Sequence, residues 1–346
     1  MKKPITGILI ASACLTLACI CCPVNFPIPI SPTATAIPPI ATFIPTGTAT
    51  LPPSLTPAPC QDEACLSACP AKLEEILQAS EGDVSPLKTF TGNTETEGTE
   101  HELATYRVDG DILSPPTFLS VPADLTAFQQ DTATQADIWK LFTATIPASQ
   151  REMVNKYIVF TDGSFDLLAA VEQGDNPEKW SLQVDILDAK DRLALSATLL
   201  HEFGHLLTLN TSQTESKTYV CAVDYVNPGC GIPGSYIDLF YQRFWSDIFD
   251  EWQIINAIEN PDDWSDRMEN FYISHRYEFL TVYSTTEPAE DIAEAWMFFI
   301  LAPQPTGEIS TAEEKILFFY DFPELVQLRA EIDARLCGYF LDPQIP

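Results

Sequence analysis

The spacing of apolar and polar positions changes period twice along this chain. Residues 134–147, TQADIWKLFTATIP, carry an apolar stripe at helical spacing. Two runs of strand character follow. Residues 156–161, KYIVFT, cluster β-formers. Residues 180–187, WSLQVDIL, alternate, with Leu182, Val184 and Ile186 on one face and Ser181, Gln183 and Asp185 on the other. Beyond residue 189 the period returns to that of a helix. The spacing predicts helices over 191–209, 236–258, 264–280, 287–302 and 311–336. A further helix is predicted over 70–79, and 80–115 reads as polar and irregular. There is no internal repeat. Strands first and helices after is the pattern of an α+β fold.

The N-terminus follows different rules. After Met1-Lys2-Lys3, no Asp, Glu, Lys or Arg occurs from Pro4 to Gln61. Residues 5–22 are apolar and follow two lysines, the pattern of a secretory signal. Their length is near the lower limit for a membrane-spanning helix. The cysteines at their end suggest a bacterial lipoprotein signal, with Cys19 or Cys14 as the lipidated residue. Neither has a leucine three residues before it, so an uncleaved anchor and an ordinary cleaved signal stay open. All three readings place the rest of the chain outside the cytoplasm, at the cell surface or secreted. Residues 23–59 are rich in Pro and Thr; such a segment builds no core and serves as an extended spacer. The expected organisation is a signal or anchor over 1–22, a linker over 23–59 and one large folded part over 60–346.

Charge and cysteines narrow the picture. The formal net charge is −31, and the part after the spacer holds all 49 acidic residues against 16 Lys and Arg. That excludes nucleic acid as a plausible partner; it otherwise reports solubility. Four of the ten cysteines lie in the signal, leaving Cys60, Cys65, Cys69, Cys221, Cys230 and Cys337. An even count in an exported chain suggests disulfides. Cys221 and Cys230 flank a turn-rich loop and are expected to pair, with Cys337 tied to the 60–69 cluster. Zinc binding by that cluster is disfavoured by the lack of tight C-x-x-C spacing.

Within the 191–209 helix stands LLHEFGHLL, residues 199–207. Positions i and i+4 lie on one helix face, so His201 and His205 present two imidazoles to one cation, in a geometry suited to Zn²⁺. Glu202 lies beside them, turned off the ligand face but within reach of a water on the metal. Small residues, Ala194, Ala197 and Thr198, precede the motif on the same face. Asp191 and Asn210 are the expected caps. The alternative is a core helix with two satisfied histidines.

A third ligand must come from elsewhere. His101, in a polar stretch, and His275, in a charged helix, are the remaining imidazoles. The better candidate lies in the helix with Pro288 in its first turn, where Glu290 and Glu294 stand at i and i+4. Glu290 completes a His₂Glu set with an open fourth position, and Glu294 is placed to hold an imidazole in orientation. A solvated acidic face is the alternative, but Ala293, Trp296, Phe298 and Phe299 mark this helix as mostly buried.

HEFGH followed by Y-x₆-E-D-x-A-E resembles the glutamate-zincin metallopeptidases of the anthrax lethal factor and Pro-Pro endopeptidase type, over roughly 190–300. The resemblance implies a zincin-like fold, with a small β-sheet lobe and a mainly helical C-terminal lobe. It implies zinc held by His201, His205 and Glu290, Glu202 as general base, Tyr283 as stabiliser of the oxyanion, and Glu294 one layer behind the ligands. Ile292 stands where an aromatic is frequent, and 211–280 is a long insertion. The expectation is an exported zinc endopeptidase acting on a peptide or protein, which a strand such as 180–187 binds by edge pairing. The competing expectation is a surface-anchored binding protein whose zincin-like site is catalytically silent.

Overall fold

The structure, a computed structural model, describes residues 59–81, 100–163, 167–215 and 229–342. The chain divides into two units, Met1–Pro53 and Ser54–Pro346, and all described residues belong to the second. The expected signal with Cys14 and Cys19, the linker up to residue 58, and Cys221 lie outside the described residues. No described helix is long and apolar enough to cross a membrane.

The architecture is mixed α+β. Helix α1 (Glu63–Glu81) starts seven residues before the predicted boundary, because Asp62 accepts from the Cys65 N–H and caps its first turn. Strand β1 (His101–Asp109) then occupies part of the stretch that reads as irregular. A register shift between Glu102 and Ala104 buries both Leu103 and Ala104, so the sequence shows no clean alternation. His101 is therefore a strand residue. Two short strands, β2 (Ile112–Leu113) and β3 (Thr117–Phe118), fold back on β1. Helices α2 (Thr126–Gln130) and α3 (Thr132–Thr145) follow.

Strands β4 (Val154–Thr161), β5 (Ala169–Gln173) and β6 (Trp180–Asp185) complete the sheet, in the order β2-β1-β4-β6-β5. β6 runs parallel to β4 and antiparallel to β5. The strand expected to offer an edge is thus interior, and β5 is the edge. β6 has both faces covered: Leu182, Val184 and Asp185 are fully buried and Ser181 nearly so. Its alternation marks two different buried environments, and β5, five residues long, carries too little pattern to be read.

Helix α4 (Arg192–Thr208) is capped as expected. Asp191 accepts from the Leu193 and Ala194 N–H groups, and the Asn210 side chain donates to the Leu206 and Leu207 carbonyls. After the short pair β7 (Thr214–Glu215) and β8 (Cys230–Gly231) the chain is helical. The helix expected over 236–258 is two, α5 (Tyr236–Phe244) and α6 (Phe249–Asn256). The break lets Trp245 turn inward, where it is fully buried and its indole N–H donates to Asp291 at 2.7 Å. Helix α7 (Pro261–His275) starts early because Asn260 caps it with Pro261 in the first turn. Helix α8 (Pro288–Leu301) matches the prediction. The last predicted helix is also two, α9 (Thr311–Phe318) and α10 (Pro323–Leu341), because Pro323 cannot donate to the preceding turn.

Disulfides join Cys60 to Cys65 and Cys69 to Cys337, the second tying α1 to α10. The expected link from Cys337 to the N-terminal cluster is present. Cys230 is also disulfide-bonded, and its expected partner Cys221 lies outside the described residues.

Candidate metal centre

Helices α4 and α8 bring the site together. They pack closely because residue 204 is glycine: a Cβ there would stand 3.0 Å from the Ala293 Cα and 3.2 Å from its Cβ. With Gly204 on α4 against Ala293 on α8, the histidine face of one helix meets the glutamate face of the other. His201 Nε2 lies 3.1 Å from His205 Nε2 and 2.9 Å from Glu290 Oε2, and His205 Nε2 lies 3.3 Å from that same oxygen. Both histidines are buried.

Glu294 accepts a hydrogen bond from His201 Nδ1–H at 2.8 Å. That sets the orientation of the ring and turns Nε2 toward the other two donor atoms. These three donor atoms, within 3.3 Å of one another, are close enough together to hold a metal ion. Zinc bound tetrahedrally at about 2.0–2.1 Å holds its ligand atoms about 3.3–3.4 Å apart, and two imidazoles with one carboxylate are a donor set it accepts. The residues fit the ion. His205 has no counterpart to Glu294; its Nδ1 is buried without a partner among the described residues.

The charges respond to one another. Burial opposes ionisation of Glu290, but the His205 and His201 imidazoles outweigh it and hold its carboxyl well below the usual range. Burial likewise opposes protonation of both imidazoles. Glu290 and Glu294 reverse that for His201, and chiefly Glu290 for His205. Glu202 is pushed up to about 6 by burial, against the pull of His205 and His201, and it accepts from the Val171 N–H of edge strand β5. Tyr283, 39% exposed, sets its ring 5.8 Å from that of His201, and its hydroxyl bonds to Glu290. Burial first, and Glu290 and Glu202 after it, raise that hydroxyl well above its ordinary value, so it is a hydrogen-bond donor.

All six residues of the predicted constellation, His201, Glu202, His205, Tyr283, Glu290 and Glu294, are therefore gathered in one place. His101, in β1, and His275, bonded to Glu278 and near Glu251, stand outside the triad. Sequence reasoning missed two supports. Thr281 donates to the second oxygen of Glu294 at 2.8 Å. Behind Glu290, Asp291 is fully buried and paired with the equally buried Lys315 of α9 at 2.7 Å, with the Lys315 ammonium 4.0 Å above the Phe279 ring. An acidic residue beside a candidate ligand on a helix mostly buried was the available signal for Asp291; Thr281 left none. The carboxylates of Asp162, Asp185 and Asp188 also cluster, but Asp185 accepts from the Asp162, Leu187 and Asp188 N–H groups and so closes a turn.

A cleft of about 350 Å³ opens at the triad, lined by Val171–Gln173 of β5, by Trp180, His205 and Leu209, and by Glu287, Ala289 and Glu290 at the start of α8. Compared with known protein families, curated proteins and solved structures, the chain matches none.

Proposed function

We propose that the protein is an exported zinc-dependent endopeptidase with a zincin-like catalytic domain of the glutamate-zincin type. The observation that carries this reading is the convergence of His201, His205 and Glu290, with Glu202 beside them and Tyr283 over the ring of His201. Zinc bound by the triad supplies a Lewis acid that acidifies water and polarises a scissile carbonyl. The chain's own groups do the rest. Glu202, raised toward neutrality by burial, takes the proton from the attacking water and delivers it to the leaving amine. Tyr283 donates a hydrogen bond to the oxygen on which negative charge develops. Glu294 holds the His201 ring in the orientation that faces the metal. The substrate lies extended along β5, whose outer edge pairs with no strand among the described residues and whose Val171 N–H reaches Glu202.

Export is supported by the charge-free, lysine-led N-terminus and by the disulfides Cys60–Cys65 and Cys69–Cys337, bonds that persist in an oxidising compartment. We place the domain at the cell surface, held through the N-terminal segment. The test is Glu202→Gln. Cleavage-site profiling on a peptide library is expected to show loss of hydrolysis while one zinc per chain is retained. Undiminished cleavage by that variant sinks the mechanism, and a chain that binds no zinc sinks the reading as a whole.

A further inference from the structure

The cleft at the triad holds more negative charge than a metal site needs. Three carboxylates line it, Glu172, Glu287 and Glu290. Glu290 is engaged with the two histidines, and Glu172 accepts from the Gln183 side chain at 2.9 Å. Glu287 is different. It occupies the N-cap position of α8 in extended backbone, yet its side chain makes no cap hydrogen bond. It lines the cleft together with Glu290 and the His205 imidazole. Among the described residues no lysine or arginine lines the cleft. Three carboxylates gathered at one cleft, with a single imidazole and no lysine or arginine among them, repel one another, and a cation brought from outside relieves that repulsion.

The rest of the cleft has the matching shape. Trp180, Leu209 and Ala289 offer apolar surface next to the carboxylates. Lysine and arginine present an apolar stem ending in a charged head, and so require that combination. The volume, about 350 Å³, is at the lower end of the roughly 300–1,000 Å³ of small-ligand sites, enough for part of a chain and not for a bulky ligand. A net charge of −31 draws cations toward the molecule before contact.

We propose that this cleft selects substrates carrying an organic cation, ammonium or guanidinium, within a residue of the scissile bond, with Glu287 as its counter-charge. The position relative to the scissile bond rests on the peptidase reading; the charge preference of the cleft does not. The shared chemistry has two sources, a lysine or arginine side chain and the free amino terminus of a peptide.

The experiment uses the full chain carrying Glu202→Gln, to measure binding without turnover. The probes are N-acetylated, C-amidated alanine hexapeptides with one lysine or one norleucine at each position in turn, and the norleucine set again with a free amino terminus. Dissociation constants are read by fluorescence anisotropy. At one position lysine is expected to bind about tenfold tighter than norleucine, and adding Glu287→Gln is expected to collapse that ratio toward one. A preference for the free-amino over the acetylated norleucine peptides, lost with Glu287→Gln, assigns the cation to the chain terminus instead. Ratios near one in both series overturn the proposal, as does a lysine preference that survives Glu287→Gln. Metal analysis of the same samples separates the two ideas: zinc bound without charge preference sinks the cleft alone, and absent zinc with an intact preference sinks the peptidase reading alone.

Discussion

Glu294 shows how a single side chain sets the chemistry of this site. Its Oε1 accepts from His201 and its Oε2 from Thr281, each at 2.8 Å, and Thr281 is held in turn by the Ser284 N–H at 3.1 Å. The chain of bonds runs from a loop, through a carboxylate, to an imidazole, and fixes the orientation of the His201 ring, with Nδ1 toward Glu294 and Nε2 toward Glu290 and His205. Partners of this kind commonly alter metal affinity by about 10–100-fold. Glu294→Ala is therefore expected to weaken zinc binding by about that factor, measured by competition with a chelator, while His201 and His205 remain. Thr281→Val, which removes only the outer bond, should weaken it less. Equal affinities for wild type and Glu294→Ala would refute the role. The i, i+4 spacing made Glu290 and Glu294 legible as a pair in sequence, because the helix supplies the geometry. Thr281 was not legible: it lies thirteen residues from Glu294 along the chain and reaches it only through the turn at Tyr283–Thr285.

At the scale of elements, the site is the contact between α4 and α8, and that contact depends on Gly204 and Ala293. A methyl group at 204 would meet backbone as well as side chain, Ala293 Cα at 3.0 Å and O at 3.3 Å, so one helix must move. Gly204→Ala is expected to leave a folded protein, since alanine favours the helix by about 1 kcal/mol. It should nevertheless bind zinc more weakly, because His201 and Glu290 are pushed apart. Circular dichroism with a zinc titration checks both halves, and unchanged affinity would show that the packing tolerates the methyl. The other side of α8 is fixed by Asp291 and Lys315. Removing one member of a buried ion pair typically costs about 3–5 kcal/mol, whereas replacing both is often nearly neutral. Lys315→Met should therefore destabilise the protein to urea more than Lys315→Met with Asp291→Asn. The long, strongly periodic helices α4 and α8 were readable because their apolar faces are continuous. β1 and β5 were not, the first because its bulge breaks alternation and the second because five residues hold too little of it. The merged helices 236–258 and 311–336 failed for a tertiary reason at Trp245, and at Pro323 for a local one that the sequence displayed.

Across the whole described unit, the chain is closed on itself by Cys69–Cys337, which joins the first helix to the last over a sequence separation of 268. Cys60–Cys65 spans only 5 residues. A cross-link acts mainly by restricting the unfolded chain, and the restriction grows with the loop it closes. The two bonds are therefore unequal. Replacing Cys69 and Cys337 with serine is expected to cost about 2–5 kcal/mol, and replacing Cys60 and Cys65 distinctly less, read as midpoints of denaturant unfolding. The candidate metal site should survive both pairs of changes at low temperature, since its three donor residues come from α4 and α8 and neither disulfide has a cysteine in those helices. The expected order of effects would be reversed if the local bond at Cys60–Cys65, by shaping the entry into α1, governed how that helix docks. In that case the short-loop variant would unfold first, and the unit's stability would rest on the docking of α1 more than on closure of the chain.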